Sequence, residues 1–282
     1  MLRALRTLAQ RRLSLVGLIL VSGFILAAVF GPNIAPYPFD DLVRDASGTV
    51  ARRVPPNAEF LFGTDKLGRD VFSRILWGAR DVIGIAGIAT ALAVTLGTAI
   101  GLAIGYRGGW VDELVSRAFD SLLAIPALVL ALVMLATLGA SSAGIIIVIV
   151  LLYTPIVTRV IRSATLGLRA AGYVEAARLR GESTLYILFR EILPGVLPAL
   201  AVEAALRFSY AIFLTASLGF LGLGVQPPSP DWGRMVYEAR LDFNRAPWAL
   251  WFPAGAIAML VISVNLLADG LRRVFRYEGG LL

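Results

Sequence analysis

The sequence predicts an all-α fold: a polytopic helical membrane protein with six transmembrane helices. Hydrophobic residues fill 58% of the 282 positions and charged residues only 16%, whereas soluble domains average about 45–50% and about 25%. Several uncharged runs reach the roughly 20 residues that cross a bilayer as a helix. Arginines collect at the ends of these runs rather than on a basic face suited to nucleic acid. No nucleic-acid partner is therefore expected, although the net charge is +7.

Six apolar runs have the length of a transmembrane helix. They are residues 13–30, 82–106, 114–138, 143–162, 195–224 and 246–268. The third and fourth runs divide a stretch without charge, 121–158, at a turn of small residues. The first run follows a basic N-terminus, as a signal peptide does. It is long for a signal peptide and lacks a small-residue cleavage site, which favours an uncleaved anchor.

Arginine bias predicts that both termini lie in the cytoplasm. Arg3, Arg6, Arg11 and Arg12 precede the first run with no acidic residue among them, and three more arginines follow the last run. The loop 158–191 holds six arginines and three glutamates, so it is predicted to be cytoplasmic as well. These assignments describe a multi-pass protein of the cell (inner) membrane.

The residue types that are missing exclude several kinds of chemistry. The chain has no cysteine and no histidine, which rules out disulfides, zinc sites with thiolate or imidazole ligands, and catalysis by a histidine base. The phosphate-binding pattern Gly-x-x-x-x-Gly-Lys-Ser/Thr does not occur, and the one lysine, Lys66, lies in the predicted outer segment. We therefore expect no catalytic residue, no metal site and no cofactor in this chain.

The loop after the fourth run predicts two short helices joined at a sharp turn. Residues 173–180 contain good helix formers, and Gly181 suits the left-handed conformation that ends a helix. Ser183 or Thr184 is placed to cap the second helix, which Pro194 is expected to end. A charged helix–glycine–helix elbow outside the lipid indicates a docking surface for a soluble partner.

The same loop carries a spaced motif, formed by Glu175, Ala176, Ala177, Gly181, Leu193 and Pro194. This motif resembles the EAA loop of binding-protein-dependent ABC importer permeases. Glu191 stands where that pattern has isoleucine, and Ile192 follows it, a variant that looks like the peptide-transport branch. The tripeptide recurs at 203–205 without the glycine or the Leu-Pro pair, and we interpret that copy as chance. The resemblance implies that this loop couples the chain to an ATPase, with the two alanines of the motif letting another surface approach closely.

Three further stretches indicate one branch of that family. Residues 62–80, 217–233 and 265–272 resemble segments of the C-type permeases of dipeptide, oligopeptide and nickel importers. The resemblance implies that the chain is a non-catalytic, pore-forming subunit that takes up di- or oligopeptides by alternating access. The partners that it implies are a second homologous permease, two ABC ATPase subunits that bind ATP and Mg, an extracytoplasmic peptide-binding protein, and membrane lipid.

With this resemblance, the chain divides into five parts. They are a cytoplasmic basic N-terminus (1–12), the first transmembrane helix (13–31), an extracytoplasmic segment (32–81), a permease core of five transmembrane helices (82–272) that includes the EAA coupling loop (163–194), and a cytoplasmic tail (273–282).

Two charges within the fifth run are separate candidates for function. Glu203 and Arg207 lie four residues apart, on one face of a helix. Charges within a span are functional candidates, and this spacing favours an intramembrane ion pair over contact with a substrate. An alternative function is a secondary transporter driven by an ion gradient, but that class is expected to show several intramembrane carboxylates and internal repeats. A polytopic protease is disfavoured because the chain has no histidine and no paired aspartates within its spans.

Overall fold

The computed structural model describes residues 12–278 apart from residue 46, so Arg3, Arg6, Arg11 and the tail residues 279–282 lie outside the described residues. The helices, in order, are α1 (Arg12–Ile34), α2 (Val71–Arg107), α3 (Gly109–Leu123), α4 (Ala127–Leu138), α5 (Ser142–Leu168), α6 (Gly172–Leu179), α7 (Thr184–Tyr186), a π-helix (Ile187–Ile192), α8 (Leu193–Phe220), α9 (Trp232–Ala239), a 3₁₀ helix (Arg240–Asp242) and α10 (Trp248–Glu278). Two isolated bridges are the only β-pairing among the described residues. The all-α prediction is confirmed.

Five helical segments are long and apolar enough to cross a membrane. They are Arg12–Ile34, Val71–Arg107, Ser142–Leu168, Thr184–Phe220 and Trp248–Val274. Helices α3 and α4 meet the same criterion only when they are taken together, and they are bent by 86° relative to each other. The described residues therefore hold six spans if this bent pair crosses as one.

The third predicted span, 114–138, is broken into two helices in the structure. Helix α3 ends at Leu123, and Pro126 occupies the N-cap position of α4. Proline has no N–H to donate, and its ring disfavours the helical conformation in the residue before it, here Ile125. The proline thus separates two helices instead of kinking one. The apolar composition continues through the break and gives no sign of it.

Helix α2 begins well inside the predicted outer segment. Its first residue is Val71, and the carboxylate of Asp70 caps it by accepting a backbone N–H from the first turn. The sequence places the start of the helix later because Arg80 and Asp81 directly precede the uncharged run. Arg74 also interrupts the apolar pattern. Its side chain is buried against the carboxylates of Asp65 and Glu238, so the helix accommodates this charge.

Glycines at every fourth position bring α2 and α5 into close contact. Gly97, Gly101 and Gly105 lie on one face of α2, where a Cβ would come within 3.0 Å of atoms of α5. At Gly101, for example, it would lie 2.8 Å from the carbonyl oxygen of Thr158. Small residues at such spacing let helix backbones approach closely within a membrane. This contact positions the C-terminal half of α5, which leads into the elbow.

A buried ion cluster holds the segment 35–70 against α9. Asp65 contacts both Arg69 and Arg74, and these arginines also contact Glu238 of α9 at 2.6 and 3.4 Å. Burial would raise the pKa of Asp65, but the charges of Arg69 and Arg74 outweigh it and hold this pKa below its usual value. The carboxylate therefore remains ionised and ties the two parts of the chain together.

Candidate coupling elbow and intramembrane ion pair

The loop that carries the spaced motif forms the expected elbow. Helix α6 ends at Leu179, and Gly181 adopts a φ of +76°. The N–H of Gly181 donates to the carbonyl of Arg178, and the N–H of Glu182 donates to that of Ala177. This pair of bonds is the Schellman arrangement, which ends a helix on a left-handed residue. A Cβ at Gly181 would meet no atom within 4 Å, so the backbone conformation alone favours glycine there.

The second arm of the elbow starts as expected and ends differently. Ser183 Oγ accepts the N–H of Tyr186 at 3.2 Å and so caps α7. The expectation that Pro194 ends this arm is wrong, because the helix continues through the π-helix into α8. The N–H of Leu193 donates to the carbonyl of Leu188, five residues back, and proline is tolerated in the first turn of the α-helix that follows. The arm is therefore continuous with a membrane-spanning helix.

Helix α6 packs on the rest of the chain through one face. Val174 and Ala177 on this face are fully buried. They share a core with three isoleucines of α5 and the π-helix: Ile161, Ile187 and Ile192. Ala177 therefore does not let another surface approach, since its own chain already covers it. Glu175 and Ala176 lie on the exposed side.

The exposed side of the elbow carries apolar side chains that the sequence interpretation did not single out. Leu179 is 86% exposed, and Leu185 and Phe189 are also largely exposed. The last two lie four residues apart, on one face of the second arm. Leu179 stands between two arginines in a loop predicted to lie outside the membrane, and this pattern could have indicated its exposure. Large apolar groups that a monomer exposes indicate a surface that binds protein or lipid. Leu179 precedes the candidate span Thr184–Phe220, whereas Leu185 and Phe189 lie at its start.

Two arginines of the elbow contact neighbouring segments of the chain. The guanidinium of Arg178 lies 4.7 Å from the ring centroid of Tyr106, and its Nε donates to the tyrosine hydroxyl at 3.1 Å. Arg180 lies 3.5 Å from Glu182 and 3.6 Å from Glu191, which links the two arms. These contacts fix the first arm relative to the end of α2 and to the second arm.

Glu203 and Arg207 lie in the middle of α8, away from the elbow. Arg207 Nε is 2.7 Å from Glu203 Oε1, and both side chains are nearly buried. Neither atom makes a well-directed hydrogen bond, so the contact is an ion pair by proximity. The guanidinium also lies 5.5 Å from the ring centroid of Tyr153 and 4.9 Å from that of Tyr210. The recurring tripeptide at 203–205 is thus part of a span and not of a loop.

Comparison with known proteins assigns the chain to a family. Residues 97–276 match the binding-protein-dependent transport system inner membrane component, and residues 1–56 match the N-terminal TM domain of oligopeptide transport permease C. The chain belongs to this family of transport permeases. It is 39% identical to the dipeptide transport system permease protein DppC of Alkalihalophilus pseudofirmus, over 95% of this chain and 87% of that protein. It is also 39% identical to the glutathione transport system permease protein GsiD of Escherichia coli, with the same coverage.

The permease also has the fold of a solved ABC transporter. It superposes on a chain of the MetNI methionine ABC transporter in an inward-facing conformation with a TM-score of 0.58, covering 71% of this chain and 96% of that one at 19% identity. The elbow and the Glu203–Arg207 pair both lie within the residues 97–276 that match the transport component. Helix α1 lies instead in the N-terminal match. This chain is therefore a membrane-embedded, pore-forming subunit of an ABC importer.

Proposed function

We propose that this permease forms part of the pathway by which an ABC importer takes up di- or oligopeptides. The observation that carries the proposal is the elbow, which exposes Leu179, Leu185 and Phe189 in a charged loop continuous with two spans. The peptide class is supported by the relatives named for dipeptide and glutathione transport. It is supported also by the match to an oligopeptide permease domain.

The proposed assembly contains a second homologous permease, two ABC ATPase subunits and an extracytoplasmic peptide-binding protein. ATP and Mg bind in the ATPase subunits, which carry out the hydrolysis, so this permease is not itself an enzyme. Both termini and the elbow face the cytoplasm, an orientation that the arginine-rich flanks favour. The segment 35–70 and helix α9 then face the opposite side, where the binding protein delivers the peptide.

The elbow transmits movement of the ATPases to the membrane. When ATP draws the two ATPase subunits together, they displace α6 and α7. Because Val174 and Ala177 pack against α5 and the second arm runs into α8 without a break, the displacement reaches two spans at once. ATP binding stabilises one of the two conformations of the pore, and ATP hydrolysis lets the pore return to the other conformation.

The motif residues have different roles in this mechanism. Glu175 and Ala176 belong to the docking face, and Gly181 provides the turn between the arms. Ala177 anchors α6 to α5 from inside. Leu193 and Pro194 form the junction at which the second arm enters the membrane. The Glu203–Arg207 pair supports the packing of α8.

Reconstitution tests this function against ion-driven transport. The complete complex in proteoliposomes should import a radiolabelled di- or tetrapeptide only with ATP on the ATPase side and binding protein on the other. The chain alone should transport nothing under a proton or sodium gradient. ATP-independent uptake by the chain alone would replace the proposal with a secondary transporter.

A further inference from the structure

A cavity with charged residues in its lining lies between α3 and the C-terminal half of α5. Its volume is about 600 Å³, within the roughly 300–1,000 Å³ typical of small-molecule sites. Its lining combines charged, hydroxyl and apolar side chains, among them Asp120, Arg159, Thr158, Phe119 and Pro155. Neither the elbow nor the Glu203–Arg207 pair contributes to this lining.

Two ion pairs at the cavity differ in how firmly they are held. Arg162 contacts the buried carboxylate of Asp112 through both Nε and Nη2. Arg159 makes one contact, 2.5 Å from Nη2 to Asp120 Oδ1, and both side chains of this pair are more than half exposed. Exposed pairs with a single contact are weak. An incoming ion of either sign can therefore displace one partner of the Arg159–Asp120 pair, whereas the Arg162–Asp112 pair is structural.

A hydroxyl group beside the exchangeable pair also lacks a partner. Thr158 lines the cavity and is almost fully buried, and its Oγ1 makes no hydrogen bond within the described residues. Buried polar groups in folded proteins nearly always have a partner. The oxygen of Thr158 has almost no accessible surface, so it does not face an occupant of the cavity, whereas the neighbouring Arg159 is exposed to it. The exposed guanidinium of Arg159 suits an anion such as a carboxylate.

We propose that this cavity binds a peptide in transit by its two free ends. Arg159 receives the carboxylate, and Asp120 receives the ammonium group. The peptide thereby exchanges one ion pair of the protein for two of its own. Phe119 and Pro155 provide apolar surface for the peptide side chains without hydrogen bonds that would select one of them. This inference rests on the proposed function and names the groups that recognise its substrate class.

Uptake by the complete complex in proteoliposomes is the first test. Arg159→Gln should lower peptide uptake by about tenfold or more, the effect of losing one charge-assisted hydrogen bond, and Arg159→Lys should retain much of it. Hydrolysis of ATP stimulated by loaded binding protein should persist in both variants. The matched control is Arg117→Gln, because Arg117 forms an exposed pair with Glu113 on α3 but does not line the cavity. The control should import peptide at the wild-type rate.

Photolabelling distinguishes a peptide site from a merely structural role. The dipeptide alanyl-photoleucine, supplied with binding protein and ATP, should label residues 116–124 or 155–162 of the wild-type permease. Labelling of these segments should fall by about tenfold in Arg159→Gln and stay unchanged in Arg117→Gln. Labelling that is absent from both segments, or unchanged in Arg159→Gln, would overturn the inference. If the wild-type complex imports no peptide, the proposed function fails. If it imports peptide and the variants Arg159→Gln and Arg117→Gln behave alike, only this inference fails.

Discussion

Replacing Glu203 by leucine should destabilise the permease far more than the same change at Glu113. Each carboxylate pairs with an arginine four residues later on its helix, at 2.7 Å for Arg207 and at 2.6 Å for Arg117. The pairs differ in burial. Glu203 and Arg207 are 9% and 12% exposed, whereas Glu113 and Arg117 are 64% and 76% exposed. The comparison therefore sets two Glu–Arg pairs of the same spacing against each other at very different burial, and the exposed pair has the better hydrogen-bond geometry.

The environment of the pair sets the expected magnitude. Removing one partner of a buried ion pair costs about 3–5 kcal/mol, because the other charge is left uncompensated. The rings of Tyr153 and Tyr210 beside Arg207 offset about 0.5–2 kcal/mol of this by cation–π attraction. Glu203→Leu should thus lower the free energy of unfolding by about 1–4.5 kcal/mol. Glu113→Leu should lower it by only about 0.2–0.5 kcal/mol.

The assay is SDS-induced unfolding of the purified permease in mixed micelles, followed by helical circular dichroism. The double variant Glu203→Leu with Arg207→Leu should recover to within about 1 kcal/mol of the wild type, since two apolar residues can replace a buried pair at little cost. Equal losses at Glu203 and Glu113 would refute the argument from burial. If the Glu203 variant is fully stable but does not transport, the charge acts in the pathway.

Three further predictions address the helix contact, the cap of α9 and the turn of the elbow. Gly101→Ala should lower the melting temperature, because its Cβ would lie 2.8 Å from a backbone oxygen of α5, whereas Gly84→Ala meets nothing within 4 Å and should gain up to about 1 kcal/mol of helix propensity. Asp231 caps α9 by accepting the backbone N–H of Arg234. Burial raises the folded-state pKa of Asp231 from 3.8 to about 6, so the folded state binds this proton more tightly than the unfolded state. Wild-type stability relative to Asp231→Asn should therefore fall by roughly 3 kcal/mol as pH rises from about 4 to about 6 and then level off; a constant difference across this range would contradict the assignment. Gly181→Val should cost about 1–2 kcal/mol of local backbone strain and leave the chain inserted while reducing co-purification of the ATPase subunits, and full co-purification would contradict the role of the turn.

The spans and the elbow follow from local signals. A bilayer demands long apolar helices, so run length alone predicts where the chain crosses. The end of α6 can also be predicted from neighbouring residues alone. Glycine tolerates the left-handed conformation that Gly181 adopts, and serine is a common N-cap residue, as Ser183 is here.

The features that escaped prediction depend on contacts between distant residues or on competing local effects. The early start of α2 requires Asp65 and Glu238 to compensate Arg74, and nothing in the neighbouring sequence reveals this. Pro194 is predicted from the sequence to end a helix. The π-helix before it places this proline in the first turn of α8, where proline is tolerated. The burial of Ala177 likewise depends on how α6 is oriented against α5.

Co-purification of the ATPase subunits with two matched leucine variants tests the account's central claim most directly. Leu179 on the elbow and Leu241 in the 3₁₀ helix are both 86% exposed, and the proposed orientation places them on opposite sides of the membrane. Leu179→Glu should abolish retention of the ATPase subunits and the ATP hydrolysis that loaded binding protein stimulates, whereas Leu241→Glu should retain the ATPases at the wild-type level. Full retention by Leu179→Glu, or loss of the ATPases from Leu241→Glu alone, would contradict the assignment of the elbow as the coupling surface.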